Sequence, residues 1–288
     1  MEIRFSIISM LINAILFLIL TFPAESLAQD PLKLGLPPYV SATELFKRFS
    51  PLADQISKGL GRPVKLLCET DYESHVNKLN KGKVDIAFLG PASYVSYTKR
   101  FGAVPLLASF ETNSSKTYKG FIVVKKDSPI TRLSQLKGKS VAFGDVESTM
   151  GHIVPRYMLL KAGIDLGQLS RHKFMDNHEN IAMAVLAGDF DAGAIRESIY
   201  NTYAREGLRA LAMSEPISDH VFVARAGLPA DTVKKITQIL FSLKDSEEGR
   251  RSLGALQKNL TALVPVQDAD FDRMRKITHY LENAGVKL

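Results

Sequence analysis

The sequence predicts an α/β protein of two lobes joined by a double crossover, and three observations carry that prediction. Short apolar runs alternate with longer amphipathic stretches; the alternation restarts near residue 118; and a largely helical tail is left with too little sheet of its own. Such a tail must pack on a preceding unit. If it returns to the first, the lobes are residues 30–112 with 219–288, and residues 113–218. The chain then crosses between them near 111–118 and near 214–220. Two such lobes with a cleft between them form a clamp that can close by hinge motion.

In the first lobe "LKLGLPP" (32–38) is a strand ended by its prolines, and "ATELFKRFSPLADQISKGLG" is an amphipathic helix with Pro51 near its middle. "PVKLLCE" is the second strand, a helix spans Tyr72 to about Asn80, and "VDIAFLG" is a buried strand stopped by Gly90 and Pro91. Helix "ASYVSYTKRF" and strand "AVPLLASF" close the unit. The second lobe runs through strand "GFIVVKK", a turn at "DSP", short helix "LSQLKG", strand "SVAFG" and a helix after Met150. Strand "RHKFM", helix "NIAMAVLAG", strand "FDAGAI", helix "ESIYNTYARE" and strand "LRALAMS" follow. The tail has one strand, "HVFVAR", and then helices only: "ADTVKKITQILFSL", "SEEGRRSLGAL" and "DFDRMRKITHYLENAG". The alternation predicts mainly parallel sheets.

With 288 residues, 45% of them hydrophobic, the chain can bury a large core without staples. Arg4, an apolar run from Phe5 to Phe22 and "PAESLA" ending in Ala28 read as a secretory signal peptide covering residues 1–28, with an uncleaved membrane anchor as the alternative. Export from the cytoplasm follows. Cleavage removes one Arg and two Glu, raising the formal charge from +7 to +8. The basic residues are scattered and read as a solvated surface, so no nucleic acid partner is expected. The single cysteine, Cys68, lies in a strand-like run and reads as an inert buried thiol. No paired-Cys or His metal pattern and no nucleophile–base signature occurs, so neither an enzyme nor a cofactor or metal is expected.

The chemistry concentrates at strand-to-helix turns. In "DVESTMGHIVP" (145–155) a helix starts just after a hydroxyl-rich turn, presenting free backbone N–H groups and the positive end of its dipole. Ser148 and Thr149 add side-chain donors, and Gly151 lets a ligand approach the backbone. Such a turn suits a phosphate, phosphonate or carboxylate; ordinary N-capping by the same hydroxyls is the competing account. His178 opens the next helix, where an imidazole either donates to an anion or belongs to an exposed first turn. Tyr72 follows a strand end, where ligands of open α/β sheets collect, or else flanks the core. Ser93, at the helix start after Gly90-Pro91, is either an anion donor or a cap.

"GKVDIAFLGPASY", "YKGFIVVKKDSPITRLSQLKGKSVAFGDVESTMGHIVPRYML" and "NHENIAMAVLAGDFDAGAI" resemble the phosphate-, phosphite- and phosphonate-binding proteins of ABC importers. The resemblance implies the type II periplasmic binding fold, two lobes with mixed sheets and a double-crossover hinge. It also implies a periplasmic location, capture of a small oxyanion in the cleft and delivery to an ABC permease in the inner membrane; a monomer is expected. A ligand sensor that signals to a membrane receptor or sensor kinase is the alternative use of the same lobes. The family's Asp-x-x-Ser-Thr-x-Gly turn falls on Asp145, Ser148, Thr149 and Gly151, its histidine on His178 and its tyrosine on Tyr72. Glu197 and Asp219 are candidates for the acid that holds the ammonium of aminophosphonates. Met150 stands where the family commonly has another serine, and Asn177 where glycine usually precedes the histidine.

Overall fold

In a computed structural model the structure describes residues 30–175 and 177–287; the export signal read at residues 1–28 lies outside the described residues. Thirteen strands and nine α-helices are found among them. In chain order they are β1 (Leu32–Leu36), α1 (Ala42–Leu60), β2 (Val64–Cys68), α2 (Tyr72–Asn80), β3 (Ile86–Leu89), α3 (Pro91–Phe101), β4 (Leu106–Thr112), β5 (Thr117–Tyr118), β6 (Gly120–Lys125) and β7 (Ser140–Phe143). Then come α4 (Val154–Lys161), β8 (Arg171–Phe174), α5 (His178–Ala187), β9 (Ala192–Arg196), α6 (Glu197–Tyr203), β10 (Leu208–Met213), β11 (Ile217–Ser218) and β12 (Val221–Ala224). The chain ends with α7 (Ala230–Ser242), α8 (Glu247–Leu256), β13 (Leu260–Val264) and α9 (Asp272–Asn283).

Two sheets result, of order β13-β4-β12-β3-β1-β2 and β10-β6-β9-β7-β8. Only the β2-β1-β3 and β8-β7-β9 triplets are parallel, and β12, β13, β6 and β10 pair antiparallel. The sheets are therefore mixed rather than mainly parallel, because a strand arriving from the other sheet enters each one beside its third strand. Between them β5 and β11 form a two-residue antiparallel ladder, Ile217 opposite Tyr118 and Ser218 opposite Thr117. The tail is not helical throughout. Leu260–Val264, bracketed by Asn259 at φ 65 and by Pro265, forms β13 on the edge of the first sheet against β4. A five-residue strand whose partner lies some hundred and fifty residues upstream shows no periodicity of its own to set it apart from the helix before it.

Helix α1 illustrates how sequence becomes packing. Ser41 caps its start by accepting from Glu44 N, Gly61 ends it in the left-handed region at φ 62, and Leu45, Phe49, Leu52 and Ile56 share one buried face. That face joins Leu34, Phe88, Phe222, Leu240 and Leu253 in the core of the first sheet. Ile122, Val141, Phe143, Leu159 and Ala194 form one core of the second sheet. A further cluster joins both, bringing Met150, Ile153 and Val154 against Leu89, Ala92, Tyr94, Phe271 and Met274. At about 25 cal/mol per Å² of apolar surface, such shared burial holds the sheets in this arrangement without any covalent link. Cys68 is half-buried with its thiol pKa raised by burial, as befits an unreactive group.

His75 is fully buried on α2, its Nε2 3.0 Å from Phe88 O. Burial pulls its pKa down to about 4. Because the folded value lies below the unfolded one, this neutral imidazole stabilises the fold fully above about pH 6.5 and progressively less as pH falls toward 4, by about 3 kcal/mol in all. Glu147, pushed up to about 7 chiefly by burial and by Asp145, acts in the opposite sense, gaining stability as pH falls below 7. A His75→Gln variant isolates the first effect. Urea unfolding at pH 7.5 and pH 4.5 is expected to show a smaller loss of stability on acidification in the variant than in the wild type. Equal losses would refute the assignment.

Candidate functional site

The carboxyl ends of the parallel strands of both sheets converge on one small cavity, as the topological switch points of open α/β sheets require. Pro37 and Tyr39 reach it from the end of β1, Tyr72 from the end of β2 and Gly90 from the end of β3. From the second sheet come Ser148, Thr149 and Met150 after β7, His178 after β8 and Arg196 at the end of β9. Tyr118 and His220 arrive from the two crossovers. The space measures ≈ 20 Å³, room for about one water.

The turn after β7 is built around its hydroxyls. Thr149–Ile153 form a π-helical turn that leads into α4. Ser148 Oγ accepts from Gly151 N at 3.1 Å, and Thr149 Oγ1 accepts from Ala92 N at 3.1 Å, across to the start of α3. Each oxygen thus spends a lone pair on a backbone N–H and keeps its own proton to donate. Capping and donation coexist. Gly144 N donates to Gly151 O at 2.8 Å, closing the turn on itself.

His178 opens α5, which Asn177 caps by accepting from Asn180 N at 2.8 Å. Burial brings the imidazole down to about 3, with the charge of Arg196 adding to the fall, so it stands neutral. Its Nδ1 and the Nε of Arg196 are both shielded from solvent and have no hydrogen-bond partner. The Arg196 Nη2 donates to Gln257 Oε1. His220 lies flat on Phe88, ring centroids 5.0 Å apart, and its Nδ1 is 2.7 Å from Asp219 Oδ1. That carboxylate fixes the Nδ1–H tautomer and turns Nε2 toward Gly90, where a Cβ would lie 3.7 Å from it. Burial raises the phenols of Tyr72 and Tyr118 well above the ordinary range, with Asp145 and Asp219 respectively adding to the rise, so both remain donors.

Of the residues singled out from sequence, Tyr72, Ser148, Thr149 and His178 line this cavity together. Gly151 lies behind Ser148, against Gly144. Ser93 is buried but lines a different cavity of ≈ 160 Å³ with Arg100, Glu147 and Ile153. Glu197 is tied to Lys119, exchanging a backbone bond with its carbonyl at 3.0 Å and accepting from its N–H at 3.3 Å. Asp219, 2% exposed, is held by His220 and donates its N–H to Lys116 O. Neither acid lines the cavity. Sequence reasoning missed Tyr39, Tyr118, Arg196 and His220 as lining residues. Tyr39 and Arg196 stand at strand carboxyl ends and were open to the same rule that selects Tyr72. A larger cavity of ≈ 350 Å³, beside β5 and β11, is lined by Lys116, Ile217 and Arg273 among others, includes the carboxylate residue Asp270, and shares no residue with the central one.

Hydroxyls, imidazoles and a guanidinium converging at the switch points of two mixed sheets define a two-lobed solute-binding protein of the type II periplasmic class. Residues 34–271 match the family described as ABC transporter, phosphonate, periplasmic substrate-binding protein, and the chain belongs to that family. It is 26% identical over 272 residues to the phosphate-import protein PhnD of Mycolicibacterium smegmatis, covering 86% of this chain and 85% of the relative. In structure it is similar to PhnD1 of Prochlorococcus marinus in complex with methylphosphonate, with TM-score 0.78, 22% identity and coverage of 87% of this chain and 98% of that one. A binding protein component of an ABC phosphonate transporter from Pseudomonas aeruginosa superposes with TM-score 0.79 at 21% identity, covering 88% of this chain and 87% of that one. Among the described residues no helix is long and apolar enough to cross a membrane.

Proposed function

We propose that the protein captures a small phosphorus oxyanion, of the phosphonate, phosphite or phosphate class, in the cavity between its two sheets and delivers it to an inner-membrane permease without chemical change. The observation that carries this proposal is the composition of the cavity wall: three tyrosines, two hydroxyl side chains, two imidazoles and Arg196 face inward, and no carboxylate does. The Arg196 Nε, a buried donor without a partner, gains one when an oxyanion enters. The names of the relatives, which import phosphate or bind phosphite, point to the same ligand class.

The cavity is too small to admit even a tetrahedral oxyanion without some parting of its walls. The lobes that part are residues 30–112 with 219–288 and residues 113–218, hinged at the β5 and β11 crossovers. Export by cleavage of residues 1–28 places the mature monomer in the periplasm, where these lobes close on the ligand and present one shape to the permease.

Calorimetry with phosphate, phosphite, methylphosphonate and sulfate tests the proposal. A ligand at a hundred times its Kd adds about 2.7 kcal/mol of stability, a Tm rise of roughly 5–10 °C for a protein of this size. At least one phosphorus oxyanion is expected to produce such a shift. No shift with any of them sinks the proposal.

A further inference from the structure

We propose that Arg196 sets the charge that the site accepts on the ligand's substituent: the protein takes phosphorus oxyanions whose substituent is absent, neutral or anionic, and rejects aminoalkylphosphonates. This rests on the oxyanion function proposed above and adds to it a substrate class and the residue that selects it.

Arg196 lines the central cavity and also a second one of ≈ 30 Å³ that reaches toward Arg48 and Ser198. The two share Tyr39, His178 and Arg196, so a substituent leaving the cradle on that side passes the guanidinium. The charge there is not paired off. Arg196 donates to the neutral amide of Gln257, which is itself held through its Nε2 on Thr112 Oγ1 at 3.0 Å, and its guanidinium lies 5.9 Å from the centre of the Tyr39 ring. The Nε remains buried and without a partner.

An ammonium group needs the reverse of this, an acceptor carboxylate and no cation. Glu197 and Asp219, next in sequence to Arg196 and His220, are held by Lys119 and His220 and line neither cavity. Glu179 is the one carboxylate on the second cavity; it is exposed at the rim and acts on Arg48, which also pairs with Glu44 at 2.8 Å. An ammonium carried past the rim therefore comes to rest beside the Arg196 guanidinium, whose charge no carboxylate among the described residues pairs, and rejection comes from repulsion as much as from missing contacts. A methyl group, a hydrogen or a carboxylate meets no such barrier.

Titration calorimetry at pH 7.5 with methylphosphonate, phosphonoacetate and 2-aminoethylphosphonate, on the wild type and on Arg196→Gln and Arg196→Glu, tests this. The wild type is expected to bind methylphosphonate at least about 30-fold more tightly than 2-aminoethylphosphonate, the size of effect a partly screened like charge imposes. Arg196→Gln is expected to narrow that ratio about fivefold or more, and Arg196→Glu to narrow it further or invert it. Thermal melts without ligand report whether each variant is folded; if Arg196→Glu is not, the wild-type ratio and the Gln variant decide. Wild-type affinity for 2-aminoethylphosphonate equal to that for methylphosphonate, or a ratio unchanged in Arg196→Gln, overturns the inference while leaving the oxyanion function standing. Failure of all three ligands to bind the wild type overturns the inference, and failure of phosphate and phosphite as well overturns the oxyanion function.

Discussion

Replacing Ser148 and Thr149 together by alanine is expected to weaken methylphosphonate binding about a thousandfold, while the unliganded protein stays folded. Each hydroxyl oxygen already accepts a backbone N–H, Gly151 in one case and Ala92 in the other. Each hydroxyl oxygen is therefore positioned by a bond that exists before the ligand comes and keeps a proton that can turn to it, and a charged acceptor makes such a bond worth roughly 1.5–3 kcal/mol. Two of them lost give roughly 3–6 kcal/mol, and a thousandfold lies within that range. The structural cost is smaller. Loss of the Ser148 cap removes about 1 kcal/mol, and loss of the Thr149 hydroxyl leaves one N–H at the start of α3 without its partner. Titration calorimetry with thermal melts separates the two effects. Ser93→Ala is the matched control: it removes a buried hydroxyl at a helix start, but one on a different cavity, and its affinity is expected to stay within about threefold of wild type. A double variant that binds as tightly as the wild type would show that the turn only caps its helix.

Much of the fold was legible because its signals are local. Alternation of short apolar runs with amphipathic stretches marks strands and helices wherever one face of each is buried, and α1 and β3 are plain examples. What escaped depends on partners far away. Strand β13 is five residues at a sheet edge, and the β5–β11 ladder is two residues from each crossover. The site divides the same way. Ser148, Thr149, His178 and Tyr72 stand at strand-to-helix turns that single them out by composition or strand-end position, and the family resemblance rather than the turns chose binding over capping or core packing for them. Tyr118 and His220 enter the cavity only because the two crossovers run side by side, and His220 is aimed by Phe88 beneath it and Asp219 beside it. No pattern within "SDHVFVAR" carries that information. Asp219 shows the converse, an acid that sequence order brings to the site and that the structure commits to a histidine instead.

Gly151 is the residue for which sequence and structure suggest different reasons, and Gly151→Ala tells them apart. Sequence suggests that a glycine here lets a ligand approach the backbone, in which case the alanine weakens binding and leaves the unliganded protein alone. The structure puts the missing side chain elsewhere: a Cβ on Gly151 would lie 2.8 Å from the Cα of Gly144 and 2.7 Å from Ser148 Oγ. Gly144 meets the same obstacle in return, 2.9 Å from the Cα of Gly151. The pair face each other where Gly144 N donates to Gly151 O, so the methyl group would press on backbone as well as on the Ser148 side chain, and rotation of Ser148 alone would not relieve it. Relief requires opening the turn, with loss of that bond and displacement of the Ser148 hydroxyl. Overpacking of this kind costs about 1–3 kcal/mol, to which the lost bond adds about 1. Gly151→Ala is accordingly expected to lose about 2–4 kcal/mol of unliganded stability by urea unfolding, with methylphosphonate affinity falling because Ser148 has moved. A variant with wild-type stability and weakened binding would return Gly151 to the role of a ligand-facing gap, and would place the anion nearer the backbone of the π-helical turn than the hydroxyl geometry implies.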